Sequence, residues 1–419
     1  MRKLYLVLLV IAACGDDAAV TLQEVMIVPD LPTTKLDVLF VVDNGPSTLD
    51  NTIRVEKQFQ TFLDGLPANV DLHLGVVTTD MGTSALASAP GPAIPGSVGG
   101  CADTGQDGRL QTFGTQLVTG NYIATNPPNY TGELVDAFRA IISVGAAGCG
   151  FQQPLSAMAN AIAADGPVEN AGFVRSDANL AVVMLVAEDD CSVEDAQLFT
   201  KDTSQLGPLQ SFRCTQYGVT CDVGGATPDE MAVPGMKQGC HASADGSLVA
   251  PIDVFVDEVK QLKPDPAQIM IALIAGAPTP FATELRAPSG SSSAIPALAH
   301  SCSYTDTSNS PEVADPAVRL VEFANQFPLR NILTSVCDTD LVQPLVDIAA
   351  LVTTTMGDTC IPEPITDQCT VIDAGTTLPQ CHGTTTDCWE LVTDATCTRL
   401  TIHHTPVANG FTHVSCPIP

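Results

Sequence analysis

Basic residues are scarce in this chain of 419 residues: 17 lysines and arginines stand against 47 aspartates and glutamates, a formal net charge of −30. A surface of that sign repels nucleic acid, so nucleic-acid partners are excluded. No two of the 15 cysteines are spaced Cys-x-x-Cys, which removes zinc clusters and thioredoxin-like redox sites from consideration. His-Glu-x-x-His, Gly-x-Ser-x-Gly and the glycine patterns of nucleotide loops are also missing, and Gly145, Gly148 and Gly150 are followed by no lysine. No enzyme class is indicated. No apolar run reaches the roughly eighteen residues of a membrane-spanning helix. A 45% hydrophobic content and a mean hydropathy of +0.21 nevertheless indicate a folded protein with a sizeable core.

What is present begins at the amino end. Arg2 and Lys3 precede an apolar run from Leu4 to Ala13, which reads as a secretion signal over 1–13. Val10-Ile11-Ala12-Ala13-Cys14 resembles the lipobox of bacterial lipoproteins, which implies that Cys14 is acylated, for instance with palmitate, and becomes the mature N-terminus. Loss of the leader takes the net charge to about −32. The remaining fourteen cysteines are an even set for an oxidising compartment: Cys101, Cys149, Cys191, Cys214, Cys221, Cys240, Cys302, Cys337, Cys360, Cys369, Cys381, Cys388, Cys397 and Cys416. Cys149 with Cys191 is one candidate pair, because both fall in predicted loops on the same sheet edge.

Residues 14–35 carry no sustained period and are expected to be a tether. Beyond them strands and helices alternate. The run Val38–Val42 predicts a buried strand, and Val55, Phe59, Phe62 and Leu63 mark one face of a helix near 50–63. Further strands are expected at about 70–78, 180–187, 268–275 and 332–336. Helices are expected at 132–142, 153–164, 252–262, 316–326 and 339–356. Such alternation predicts an α/β fold with a doubly wound, mostly parallel sheet. Residues 192–250, with Cys214, Cys221 and Cys240, read as a disulfide-rich insertion outside that sheet, and 358–419 as a small β-rich, disulfide-stapled module. Trp389 is expected in the core of that module, and His403, His404 and His413 as solvent-facing or paired.

The richest stretch is LDVLFVVDNGPS, residues 36–47, where a central strand delivers Asp43 to the carboxyl end of the sheet, the edge at which open α/β sheets collect ligands. VLFVVDNGPS, the later VVMLVAEDDCS over 182–192 and the order of elements between them resemble a von Willebrand factor A domain over about 36–357. The closest likeness is to the version found in Gram-negative lipoproteins. The resemblance implies a metal-ion-dependent adhesion site built from Asp-x-Ser-x-Ser, a threonine and a further aspartate, with Mg²⁺ or another divalent cation as cofactor. Asp43 and Ser47 match the first motif, but Gly45 replaces its middle serine. The segment Val144–Gly150 offers Ala146 and Ala147 where a threonine is expected, and Ala187 stands where the aspartate belongs. Glu188 and Asp189 follow at once and complete the candidate ligand set Asp43, Ser47, Glu188 and Asp189.

Structural roles compete for the same residues. Ser47 with Asp50 fits a helix capping box, Asp43 is placed to accept turn amides, and Asp80 reads as a turn residue before Met81-Gly82. The expected function is a non-enzymatic lipoprotein of the cell envelope, at the outer membrane or cell surface, that binds a protein or matrix partner at this edge with or without a cation. A structural envelope protein and a secreted hydrolase are the alternatives.

Overall fold

A computed structural model describes residues 23–30, 33–45, 49–288, 292–306, 309–357, 360–361, 368–383, 386–393, 398–407 and 410–417. The leader, Cys14, Ser47, Cys397 and the side chain of Cys360 lie outside the described residues. Two compact units emerge: residues 35–349, and the described residues before them together with those from 350 on.

The larger unit is a mixed α/β structure around a six-stranded sheet. Its strands are β1 (Lys35–Val42), β2 (Asp71–Thr78), β3 (Ile123–Ala124), β4 (Asn179–Leu185), β5 (Ile269–Ala275) and β6 (Asn331–Ser335). They run in the spatial order β6-β5-β4-β1-β2-β3, parallel throughout except for the antiparallel β3. β1 is therefore central. Its residues Val38 to Val42 are at most 1% exposed, as a strand covered on both faces must be.

The period-two alternation of β1 assigns its neighbours. Phe40 meets Phe59 and Phe62 of α1 (Leu49–Asp64) and Phe138 of α2 (Leu134–Ile142), with ring centroids 5.0–6.5 Å apart. Leu39 and Val41 join the opposite cluster. There Leu155 and Met158 of α3 (Pro154–Ile162), Phe255 and Val259 of α4 (Ile252–Lys260), and Leu320 and Phe323 of α5 (Val318–Asn325) cover the strands. Each such side chain contributes roughly 1.5–3 kcal/mol on burial, so this core dominates the unit's stability. α3 begins on Pro154, whose missing N–H costs nothing at a helix start. A final helix, α6, spans Val342–Thr355.

The insertion is more regular than its sequence indicates. Val219–Val223 and Gly235–Ala242 pair antiparallel, and Phe281–Arg286 and Ile295–Leu298 extend them into a second four-stranded sheet. A hairpin of Cys302–Thr305 and Pro311–Ala314 follows. These later strands are short and partly polar, and packing of Phe281 and Leu298 against Phe212 and Met231 holds two of them, a tertiary effect that local pattern does not carry. The unit has four disulfides among its described residues: Cys101–Cys149, Cys191–Cys214, Cys221–Cys240 and Cys302–Cys337. The expected Cys149–Cys191 pair is thus corrected; each of the two takes another partner, since loop position constrains proximity but not pairing.

The second unit corrects the tether. Gln23–Pro29 is a strand paired residue by residue with Phe411–Pro417, in a sheet that also holds Thr370–Asp373 and Thr376–Leu378. Its Val-Met-Ile-Val run suits a half-buried strand, which the polar flanks disguised. A three-stranded sheet of Cys360–Ile361, Thr398–His403 and Cys388–Thr393 accompanies it. The core is small: Val371, Leu378, Trp389, Leu400, Val414 and Cys416. The Trp389 indole N–H donates to the Leu378 carbonyl at 3.2 Å, and disulfides Cys369–Cys416 and Cys381–Cys388 close the unit. No helix among the described residues is long and apolar enough to cross a membrane.

Candidate functional site

Asp43 is the first residue beyond β1, with its backbone N–H bonded to the Leu185 carbonyl at 2.9 Å. One carboxylate oxygen accepts the Gly45 amide at 2.9 Å and the other the Ala187 amide at 3.3 Å. The side chain is 1% exposed, and burial pushes its pKa up to about 6 in spite of those two amides. Asp80 plays the comparable role one strand away, accepting the Gly82 amide at 2.9 Å.

The space beside Asp43 is filled by a residue that sequence reasoning passed over. Gln152 is 2% exposed; its carbonyl oxygen accepts the Thr79 hydroxyl, and its amide nitrogen donates to the Cys149 carbonyl. A Cβ on Gly45 would lie 2.5 Å from that nitrogen and 3.1 Å from Asp43 Oδ1. A serine there would force the Gln152 carboxamide to shift from its present hydrogen bonds. The loop 144–150, where a threonine was expected, instead seats Gly148 so close to Asn44 that a Cβ would come within 2.1 Å of Asn44 Oδ1. The threonine present at this edge is Thr79, fully buried, with its hydroxyl given to Gln152. These residues do not fit the octahedral oxygen set of an adhesion-type cation: the middle serine is lost, the threonine is spoken for, and an amide N–H donor, which no cation can use, stands in the gap.

The acidic run after β4 divides into three fates. Asp190, 1% exposed, accepts the Leu155 amide at 3.1 Å, the Ser192 hydroxyl at 2.6 Å and the Ser192 amide at 3.1 Å. It also takes Nε and Nη2 of Arg319 at 3.2 and 3.0 Å. Arg319 is itself fully buried and donates further to the Gly218 and Ala250 carbonyls. Asp189 turns toward α5, where its two oxygens accept the Arg319 and Leu320 amides at 2.9 and 3.2 Å. Burial raises its pKa to about 6. The candidate ligand Asp189 is thereby drawn away from Asp43 by the amide-rich start of a helix.

Glu188 has neither arrangement. It is half-buried, and among the described residues its carboxylate makes no hydrogen bond and no ion pair. Burial first, then the charges of Asp315 and Asp43, raise its pKa well above the usual glutamate range. Asp315 is held in place by its own N–H, which donates to the Ala187 carbonyl at 2.8 Å, and its Oδ1 lies 2.6 Å from Nδ1 of His300. Glu188 and Asp315 line a cavity of about 150 Å³ together with Gln210, Ser211, Arg286 and Arg319. Enzyme and cofactor pockets run to about 300–1,000 Å³, whereas a void of about 150 Å³ admits a group the size of benzene. One side chain fits.

Of the four candidate ligands, Asp43 and Glu188 share the edge and feel each other's charge, Asp189 caps α5, and Ser47 lies outside the described residues. Thr79, Gln152, His300, Asp315 and Arg319 are the edge residues not foreseen. Gln152 carried one signal, a buried-looking Gln-Gln pair just before the proline that opens α3.

No protein-family profile and no curated protein matches the chain. Among solved structures it is similar to von Willebrand factor type A from Catenulispora acidiphila. That match has 8% identity and a TM-score of 0.31 over 95% of this chain and 65% of the other. It is also similar to the pilus adhesin SpaC from Lactobacillus rhamnosus GG in an open conformation (8%, 0.32, 95% and 40%). A third likeness is to the pilus adhesin RrgA from Streptococcus pneumoniae (9%, 0.32, 95% and 58%). The chain thus spans between 40% and 65% of these three proteins. Scores of this size carry no argument, and the functional reading below stands on the edge geometry.

Proposed function

We propose that the larger unit is a doubly wound, von Willebrand factor A-like domain whose carboxyl edge binds a protein or matrix partner without a resident cation. The observation that supports it is Glu188: a half-buried carboxylate with no hydrogen-bond or ion-pair partner among the described residues, just beyond the end of a central strand, lining a cavity of about 150 Å³. Burial holds this group toward its neutral form, and a cationic lysine or arginine side chain of a partner stabilises the carboxylate by a charge-assisted bond. Gln152 takes the place of the cation in this reading: it packs beside Gly45 and Asp43 and ties the Thr79 and Cys149 segments together by hydrogen bonds. The chain acts as a cell-envelope lipoprotein anchored through Cys14, and it is not an enzyme. His300 is oriented by Asp315 as a general base would be, yet no hydroxyl or thiol bonds its second nitrogen among the described residues.

The test is retention of surface-extract proteins on immobilised full chain with its disulfides formed. Saturable retention that survives a chelator and is lost with Glu188→Gln supports the reading. Retention abolished by the chelator and restored by Mg²⁺ contradicts it, as does retention indifferent to Glu188→Gln.

A further inference from the structure

In the smaller unit, three chelating side chains from three separate segments converge. Asp30 directly follows the strand Gln23–Pro29, Asp373 ends the strand Thr370–Asp373, and His404 directly follows the strand Thr398–His403. One ligand atom from each lies within 4.8 Å of the other two. His404 Nδ1 is 2.8 Å from Asp373 Oδ2, and its Nε2 is 3.7 Å from Asp30 Oδ1. The side chains of Asp30, His404 and Asp373 are 2%, 8% and 21% exposed. We propose that Asp30, Asp373 and His404 form a structural site for a divalent cation of the zinc class.

Five arguments carry this assignment, none of which depends on the sheet edge of the larger unit. Bonds of about 2.0–2.2 Å put the ligand atoms of a tetrahedral zinc roughly 3.3–3.6 Å apart. An ion takes one ring nitrogen of His404, so the two approaches above, made by different nitrogens, cannot both become metal bonds, and the three ligand atoms within 4.8 Å of one another draw together by reorientation of the side chains. One nitrogen with two carboxylates suits zinc or manganese; calcium takes 6–8 oxygens and is disfavoured. The carboxylate of Asp30 is already oriented, by the Val407 amide at 3.1 Å and the Thr412 hydroxyl at 3.5 Å, the outer-shell support that metal-binding carboxylates have. Charge points the same way. Two carboxylates face one imidazole, and a dication balances the two negative charges. Finally, the apolar cluster of this unit is small among the described residues, and small units of that kind are held by disulfides or by a metal that ties separate segments together.

The experiment uses the full chain with its disulfides formed, stripped with a chelator and titrated by calorimetry with Zn²⁺, Mn²⁺ and Ca²⁺ in turn. One Zn²⁺ per chain is expected, bound at least tenfold more weakly by Asp373→Asn and not measurably by His404→Gln. His403→Gln, whose imidazole pairs with Glu390 instead, and Glu188→Gln keep full affinity. Because His404→Gln can weaken folding by itself, the melting temperature is followed as well: Zn²⁺ raises it in the wild type and in His403→Gln, and not in Asp373→Asn. No heat with Zn²⁺ overturns the proposal and leaves the imidazole lying between two carboxylates. Zn²⁺ binding that is unaltered in both Asp373→Asn and His404→Gln overturns it equally.

Discussion

Glu188 and Asp190 stand two residues apart at the end of one strand, and the fold treats them in opposite ways. Asp190 is surrounded by two amides, a hydroxyl and the guanidinium of Arg319, so its charge is fully used in joining α3 to the loop after β4. Glu188 receives nothing among the described residues. The same contrast divides the whole edge. Among the described residues, the Asp43 side is packed by Gln152, Thr79 and two closely approached glycines, while the Glu188 side borders a cavity. A buried acid with donors is architecture, while a partly buried acid without them is the group on which the proposed partner contact rests.

The comparison breaks most severely at Arg319. Arg319→Met leaves the buried Asp190 without its cationic partner, its amide and hydroxyl donors remaining, and a loss of about 3–5 kcal/mol is expected in denaturant unfolding. If the loss stays under about 1 kcal/mol, Asp190 is not the closed counterpart described here.

Asp43 gives the next largest effect, and its sign follows from protonation. Its folded pKa of about 6 lies above the unfolded value of 3.8, so the native state holds the proton more tightly between those two values. The stabilisation is complete below pH 3.8 and is lost as the pH rises through about 6, a fall of about 3 kcal/mol between pH 3.5 and 7. Asp43→Asn removes that share of the pH dependence. It also turns an amide group toward the Gly45 and Ala187 N–H groups, a cost that does not vary with pH. Unfolding curves across pH 3.5–7 check this; an unchanged slope in the variant contradicts it.

Gly45→Ser sharpens the contrast with a smaller effect. The new Cβ meets the Gln152 amide at 2.5 Å, and about 1–3 kcal/mol of destabilisation is expected from overpacking. Shortening the neighbour, as Gly45→Ser with Gln152→Ala, recovers most of it, and the coupling between the two is the readout. Additive losses show that Gln152 does not fill the space.

The closed side was partly legible before any coordinates. An uninterrupted apolar run from Val38 to Val42 ending in an acid can be read locally, because a central parallel strand buries both of its faces. The helices follow for the same reason, their apolar faces recurring at the helical period. Gln152 could not be read that way: its role comes from Thr79, Gly45 and Cys149, on three other segments. Disulfide pairing was hidden likewise, and Cys149 chose Cys101 over the expected Cys191. The strand Gln23–Pro29 was missed because its partner, Phe411–Pro417, lies at the other end of the chain, and the polar flanks of a short edge strand resemble a linker. The difference between Glu188, Asp189 and Asp190 was equally invisible. Three adjacent acids look alike until the start of α5 and Arg319 claim two of them.

The most direct test of the central claim is the affinity of a retained partner for Glu188→Gln relative to the wild type, measured by surface plasmon resonance with chelator present throughout. A fall of at least tenfold with unaltered melting temperature is expected, since about 1.5–3 kcal/mol rests on a charge-assisted bond to this carboxylate. Equal affinities of the two proteins in chelator, or binding by either that appears only when Mg²⁺ is restored, contradict it.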